Sequence, residues 1–154
     1  MEYPTRRAER ALSRGQAEQI LQKGEYGFLA LRAPDGAAYG VPLNYVFSDR
    51  KIYLHGATQG KKIDCVNFDD RVSFTVVAHS RYVEGKFTTN YECAMAFGRA
   101  RVSRDDEERR TALKTLCAKY SDEDPDGFIE KAFNRTAVIV IDVESVSGKA
   151  NPAT

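Results

Sequence analysis

A mainly β chain folded into a barrel, with helices around its outside, is the fold class this sequence predicts, on three observations. About six strand-length runs are separated by short turns rich in Gly, Pro and Asp. Helical periodicity occurs near the beginning, in the middle and late in the chain, and not between every pair of strands. Neither GxGxxG nor GxxxxGKS/T is present, which agrees with the irregular order in arguing against a parallel, dinucleotide-binding sheet.

The elements follow in order. Ser13 and Gln16 have the spacing of a capping box, Ala17, Ile20 and Leu21 recur at helical intervals, and Gly24 is placed to stop the helix. The period then changes. Residues 26–31 are a strand-length run, and Ala33-Pro34-Asp35-Gly36-Ala37 is a turn. A second run spans 38–47, with Val41, Leu43, Tyr45 and Phe47 on one face. Pro42 inside it removes a ladder hydrogen bond and points to an edge strand or a bulge. Ser48-Asp49-Arg50 turns the chain into a third strand over 51–55, completing an antiparallel meander. A small-residue loop over 56–62 leads to one or two helical turns around Ile63, Val66 and Phe68. Strands follow over 72–77 and 87–102, with Gly98 as a candidate bulge. A surface helix over 105–120 has acids at its front and bases toward its end, as the helix dipole favours. Its apolar stripe is Ala112, Leu113, Leu116 and Cys117. Asp124-Pro125-Asp126 opens a short helix running through Phe133, and 136–143 is the last strand. Residues 1–154 therefore read as one domain, with its core over about 13–145 and a loose polar tail over about 147–154.

Composition narrows the function classes. A hydrophobic fraction of 42% supports an ordinary core, and no apolar run reaches the length of a membrane helix. Residues 1–10 are charged and lack the apolar stretch of a signal peptide, so a cytoplasmic location is expected. The 23 basic and 22 acidic residues nearly cancel, which argues against nucleic acid and membrane surfaces as partners and still allows a local basic site. Cys65, Cys93 and Cys117 are widely spaced, with no CxxC and only His55 and His79 to help them. A metal cage is not expected, and the thiols suit a reducing compartment.

The most informative segment is residues 53–64. A strand ends at His55, small residues Gly56 and Ala57 expose the backbone, and Thr58, Gly60, Lys61 and Lys62 meet the start of a helix. Free helix N–H groups, a hydroxyl and two ammonium groups can hold a phosphate. By spacing alone, the same residues also read as a solvated loop carrying two surface lysines. No Ser/His/Asp or Cys/His arrangement for nucleophilic catalysis stands out.

Three segments in order, Gly40-Val41-Pro42-Leu43-Asn44-Tyr45, His55 to Asp64, and Lys86-Phe87-Thr88-Thr89-Asn90-Tyr91-Glu92, followed by Ala96-Phe97-Gly98-Arg99-Ala100, resemble the nitroimidazole-resistance proteins. These belong to the pyridoxamine 5'-phosphate oxidase-like, FMN-binding split barrels. The likeness spans roughly residues 6 to 145.

The resemblance implies a six-stranded antiparallel split β-barrel with peripheral helices that binds flavin mononucleotide (FMN). It implies that Lys61 and Lys62 hold the FMN phosphate, and that His55, Gly56, Ala57 and Thr58 lie beside the ribityl chain and ring. The backbone of Pro42, Leu43 and Asn44 would run along the isoalloxazine. Thr89 and Asn90 would form a pocket wall, facing the flavin of the partner in a homodimer with flavin at the subunit interface. Cys93 stands where relatives often carry Ser, so a polar contact to flavin is weakened there. The implied activity is FMN-dependent transfer of electrons from a reduced nicotinamide, NAD(P)H, to a nitroaromatic or similar small acceptor. The alternative is a flavin- or haem-binding carrier or sensor without turnover, and a deazaflavin could replace FMN. His55 stays open between a packed strand-end residue, a flavin or substrate contact and a metal ligand. His79 reads as a loop residue, and Tyr45 and Phe47 as core.

Overall fold

The structure, a computed structural model, describes residues 4–152 of the 154. Seven strands form one antiparallel sheet: β1 (Tyr26–Arg32), β2 (Ala38–Asn44), β3 (Val46–Ser48), β4 (Lys51–Ala57), β5 (Arg71–Val83), β6 (Thr88–Val102) and β7 (Thr136–Asn151). Their spatial order is β2-β1-β5-β6-β7-β4-β3. Four helices accompany them: α1 (Arg14–Lys23), α2 (Lys61–Phe68), α3 (Asp106–Tyr120) and α4 (Asp126–Ala132). Short 3₁₀ turns cover Ala8–Arg10 and Phe133–Arg135.

The expected six-stranded split β-barrel is corrected here: the sheet has seven strands and is not closed into a barrel. The run over 38–47 breaks at Tyr45, because α3 captures that residue's backbone. The Tyr45 N–H donates to the Tyr120 hydroxyl at 3.0 Å, and its carbonyl accepts from the Lys119 ammonium at 2.8 Å. Neither group is then free for a strand ladder. β2 and β3 become the two outer strands of the sheet although Tyr45 alone separates them in the chain. The sheet must therefore curl until its edges approach at that corner, and among the described residues no ladder joins β2 to β3.

Alternation decides what the curled sheet encloses. Leu29, Leu31, Ile52, Leu54, Val72, Phe74, Val76, Ile139 and Ile141 point inward and meet Ala17, Ile20 and Leu21 of α1 and Ile63, Cys65 and Val66 of α2. The capping box forms as expected, with Ser13 accepting from the Gln16 N–H and Gln16 reaching back to the Ser13 N–H at 2.9 Å. On the outer face of β4 and β7, Val138 and Val140 pack with Tyr53 against Ala112 and Leu113 of α3, Ile129 of α4 and Phe133.

Pro42 lies on an edge strand, as its missing N–H requires. Gly98 sits at a register shift in β6, where a side chain would strike the Asp142 carbonyl. Two expectations fail. β7 continues through Asn151, pairing with β6 as far as Tyr91, so the stretch from Gly148 to Asn151 is strand and not loose tail. His79 lies within β5 beside a bulge, not in a loop, because the β5–β6 hairpin extends to Val83.

Candidate functional site

The segment from His55 to Lys62 closes β4 and opens α2. Gly60 takes φ +123°, a conformation that favours glycine, and aims the chain directly into the helix. No side chain caps α2, so its first N–H groups face outward unsatisfied. Ala57, Thr58, Gly60 and Lys61 are exposed around that terminus.

Two lysines leave that terminus in different directions. The Lys61 ammonium sits 4.7 Å from the centre of the Tyr39 ring, which ties α2 to β2. Lys62 is half-buried and folds back over Gly56, its Nζ only 2.6 Å from where a β-carbon on Gly56 would lie. Gly56 thus keeps open the space in which Lys62 is seated. Burial pushes the Lys62 ammonium below its usual range. Burial and the Lys62 charge together hold the His55 imidazole below its ordinary value, so it stays neutral near pH 7. Among the described residues, neither lysine has a carboxylate partner.

On β2, Pro42 and Asn44 face outward and Leu43 is half-buried against the core. Tyr39, four strand positions from Leu43, connects them to Lys61. Asn44 also borders an open cleft of about 610 Å³, with Gly24, Glu25, Tyr26, Lys119 and Tyr120 among its walls. In that wall the Lys119 ammonium donates to the Gly24 carbonyl at 2.6 Å and lies 3.6 Å above the Tyr45 ring.

Thr89, Asn90 and Cys93 are not brought to this cluster within one chain. They occupy the opposite end of β6, level with β5 residues 77–82 and β7 residues 149–151. The His55 end of β4 lies beside Val138, near the far end of β6. From Cys93 to Val102 is about 30 Å of strand at the usual rise. Thr89 and Asn90 are half-buried. Cys93 is buried, and desolvation raises its thiol while the Lys149 charge opposes that shift.

Sequence reasoning missed three participants. Tyr39 gave only the signal of an aromatic within the correct strand. Lys119 and Tyr120 looked like the end of a surface helix, and nothing local tells that they grip Tyr45 some 75 positions away.

The site is thus a helix terminus without a side-chain cap, with two lysines that have no carboxylate partner among the described residues and a glycine beside them, on an antiparallel β scaffold. The chain belongs to the pyridoxamine 5'-phosphate oxidase family, a family of flavin-binding folds, whose model matches residues 13–150. Among solved structures it is similar to a Bacteroides thetaiotaomicron protein named for 5-nitroimidazole antibiotic resistance, at 23% identity and TM-score 0.78, covering 90% of this chain and 85% of that one. A FAD-binding protein from Mesorhizobium loti is 26% identical, with TM-score 0.67 and coverage of 92% and 97%. A flavocytochrome from Azotobacter vinelandii aligns at 17% identity and TM-score 0.80, covering 98% and 73%. No curated protein matches the chain.

Proposed function

We propose that the protein is an FMN-dependent oxidoreductase that passes electrons from a reduced nicotinamide to nitroaromatic or similar small acceptors. The observation behind this reading is the cradle at the start of α2. Lys61, Lys62 and the free N–H groups offer a phosphate monoester charge and donors together, and Gly56 leaves room for them. From Tyr39, beside Lys61, to Asn44 is about 17 Å of β2. A phosphate, a five-carbon chain and a three-ring system fill such a span end to end. These residues therefore fit FMN.

In this reading Lys61 and Lys62 hold the phosphate, Thr58 and Gly60 add polar contacts, and His55, Gly56 and Ala57 line the ribityl chain. The backbone of Pro42, Leu43 and Asn44 supports the ring. When bound, FMN supplies the reversible two-electron chemistry. The chain's own residues bind it, orient it and exclude water from one face. A neutral His55 adds no charge against Lys62.

A homodimer belongs to the proposal. Tyr26, Phe28, Val77 and Phe97 each leave 40% or more of their surface exposed on the outer face of β1, β5 and β6. Pro42 and Asn44 share that face. A second copy packed there would bring Thr89, Asn90 and Cys93 to its partner's flavin, which one chain alone does not do. A carrier without turnover is the second reading. His55 is held neutral, as haem ligation requires, and similar structures include the flavocytochrome above.

Anaerobic mixing of the FMN-loaded protein with NADH or NADPH, followed by a nitroaromatic, tests the proposal. Bleaching of the flavin bands by one donor and their return with the acceptor is the expected result. A flavin that neither donor reduces would overturn the oxidoreductase reading, and a Soret band on purification would favour the carrier.

A further inference from the structure

A second cationic site lies at the other end of the molecule. Thr5, Arg6, Arg7, Arg10, Tyr91 and Lys149 line a cavity of about 310 Å³, within the range of small-ligand pockets, about 300–1,000 Å³. The site is assembled, not incidental. The Leu12 N–H donates to the Gly148 carbonyl at 3.0 Å, and Ala11 bridges to Lys149, so the N-terminal segment is pinned to the end of β7. Gly148 allows this approach: a β-carbon there would sit 2.7 Å from that of Ala17. The 3₁₀ turn over Ala8–Arg10 ends at Arg10, which lines the cavity with Arg6, Arg7 and Tyr91, and the Lys149 ammonium stands 5.7 Å from the Tyr91 ring.

Four positive charges meet here. Among the described residues no carboxylate pairs with Arg6, Arg7, Arg10 or Lys149. The nearest acid along β6, Glu92, is taken by Lys23, and Glu9 is not among the residues that line the cavity. In a chain whose net charge is only +1, such a group is a local concentration of charge. A single phosphate carries about −1.5 to −2 on three clustered oxygens. The diphosphate of a dinucleotide carries a similar total, about one charge per phosphate, but spreads it over two groups whose oxygens several arginine forks engage together.

We propose that Arg6, Arg7, Arg10 and Lys149 form a binding site for the diphosphate group of a nucleotide, separate from the cradle at α2. The site goes beyond the FMN reading, and within one chain it lies at the opposite end of β6 from the cradle. Its diphosphate can come from a nicotinamide nucleotide or from a flavin dinucleotide, and the recognising chemistry is the same.

Calorimetric titration of the full chain at low salt with ADP and with adenosine tests the site. ADP is expected to bind, adenosine far more weakly, and added salt to weaken ADP as screening requires. The Arg6→Gln/Arg10→Gln/Lys149→Gln variant should lose at least about tenfold in ADP affinity, with FMN affinity unchanged. NADPH and FAD distinguish the two sources: whichever loses affinity in the variant supplies the diphosphate. ADP binding no tighter than adenosine in the wild type overturns the proposal without reference to any variant. Equal loss of ADP and FMN affinity in the variant overturns the separateness of the two sites.

Discussion

Lys62 spends part of its side chain against Gly56 and His55, so its charge and the imidazole's protonation are coupled. The sign follows from the causes. With Lys62 charged beside it and solvent partly excluded, His55 resists protonation in the folded chain. The unfolded chain takes up that proton first as pH falls, so His55 makes the fold less stable through and below the ordinary histidine range. Lys62→Met removes the neighbouring charge while keeping the stem. We predict that the His55 pKa rises in this variant, measured from imidazole NMR shifts against pH. An unchanged titration would mean that burial alone sets it. Lys61 behaves differently, for its ammonium rests on the Tyr39 ring and is exposed. The pair was legible in the sequence as two lysines after small residues. The geometry that makes them unequal was not, because it depends on Gly56 and Tyr39, which lie on two different strands.

At the scale of elements, the joint between β2 and β3 is where local reading stopped. Residues 38–47 have unbroken strand periodicity, and only α3 reveals why the strand ends at Asn44. Most other elements were legible because their signals are local. The Ser13 box, the turn at Gly36 and the Gly98 bulge each need only a few neighbouring residues. The clamp at Tyr45 has its own pH signature. Burial lowers the Lys119 ammonium to about 8, whereas in the unfolded chain it keeps its proton to about 10.5. Between those values the unfolded chain holds more protons, so this group makes stability rise with pH. Tyr45, whose burial raises its pKa far above the usual value, and Tyr120, also raised, oppose that trend only above about 10. We predict that urea stability of the wild type gains between pH 8 and 10 relative to Lys119→Met. Parallel pH profiles for the two proteins would show that Lys119 is not the group responsible.

Across the whole molecule, the curled sheet divides its outer surface into two regions. The face of β4 and β7 is covered by α3 and α4, while the face of β1, β5 and β6 is left with Tyr26, Phe28, Val77 and Phe97 exposed. The alternating pattern showed which residues face outward. It did not show which outward face the helices cover, since that depends on the order of strands in space. We predict a dimer with its interface on the bare face. Sedimentation of the wild type at micromolar concentration should give twice the chain mass, and Phe28→Glu/Val77→Glu should give monomer. A wild-type monomer at that concentration would contradict the prediction and leave Thr89, Asn90 and Cys93 with no flavin to face.

The central claim is that Lys61 and Lys62 at the start of α2 hold the phosphate of FMN. Flavin-fluorescence titration of the wild type, Lys61→Ala, Lys62→Ala and the double variant, with FMN and with riboflavin, tests it most directly. A hydrogen bond to a charged group contributes about 1.5–3 kcal/mol. Each single variant should therefore weaken FMN by roughly one to two orders of magnitude. Riboflavin, which lacks the phosphate, should bind all four proteins weakly and alike. If FMN and riboflavin lose affinity equally, or neither responds to the substitutions, the phosphate is held elsewhere and the account is contradicted.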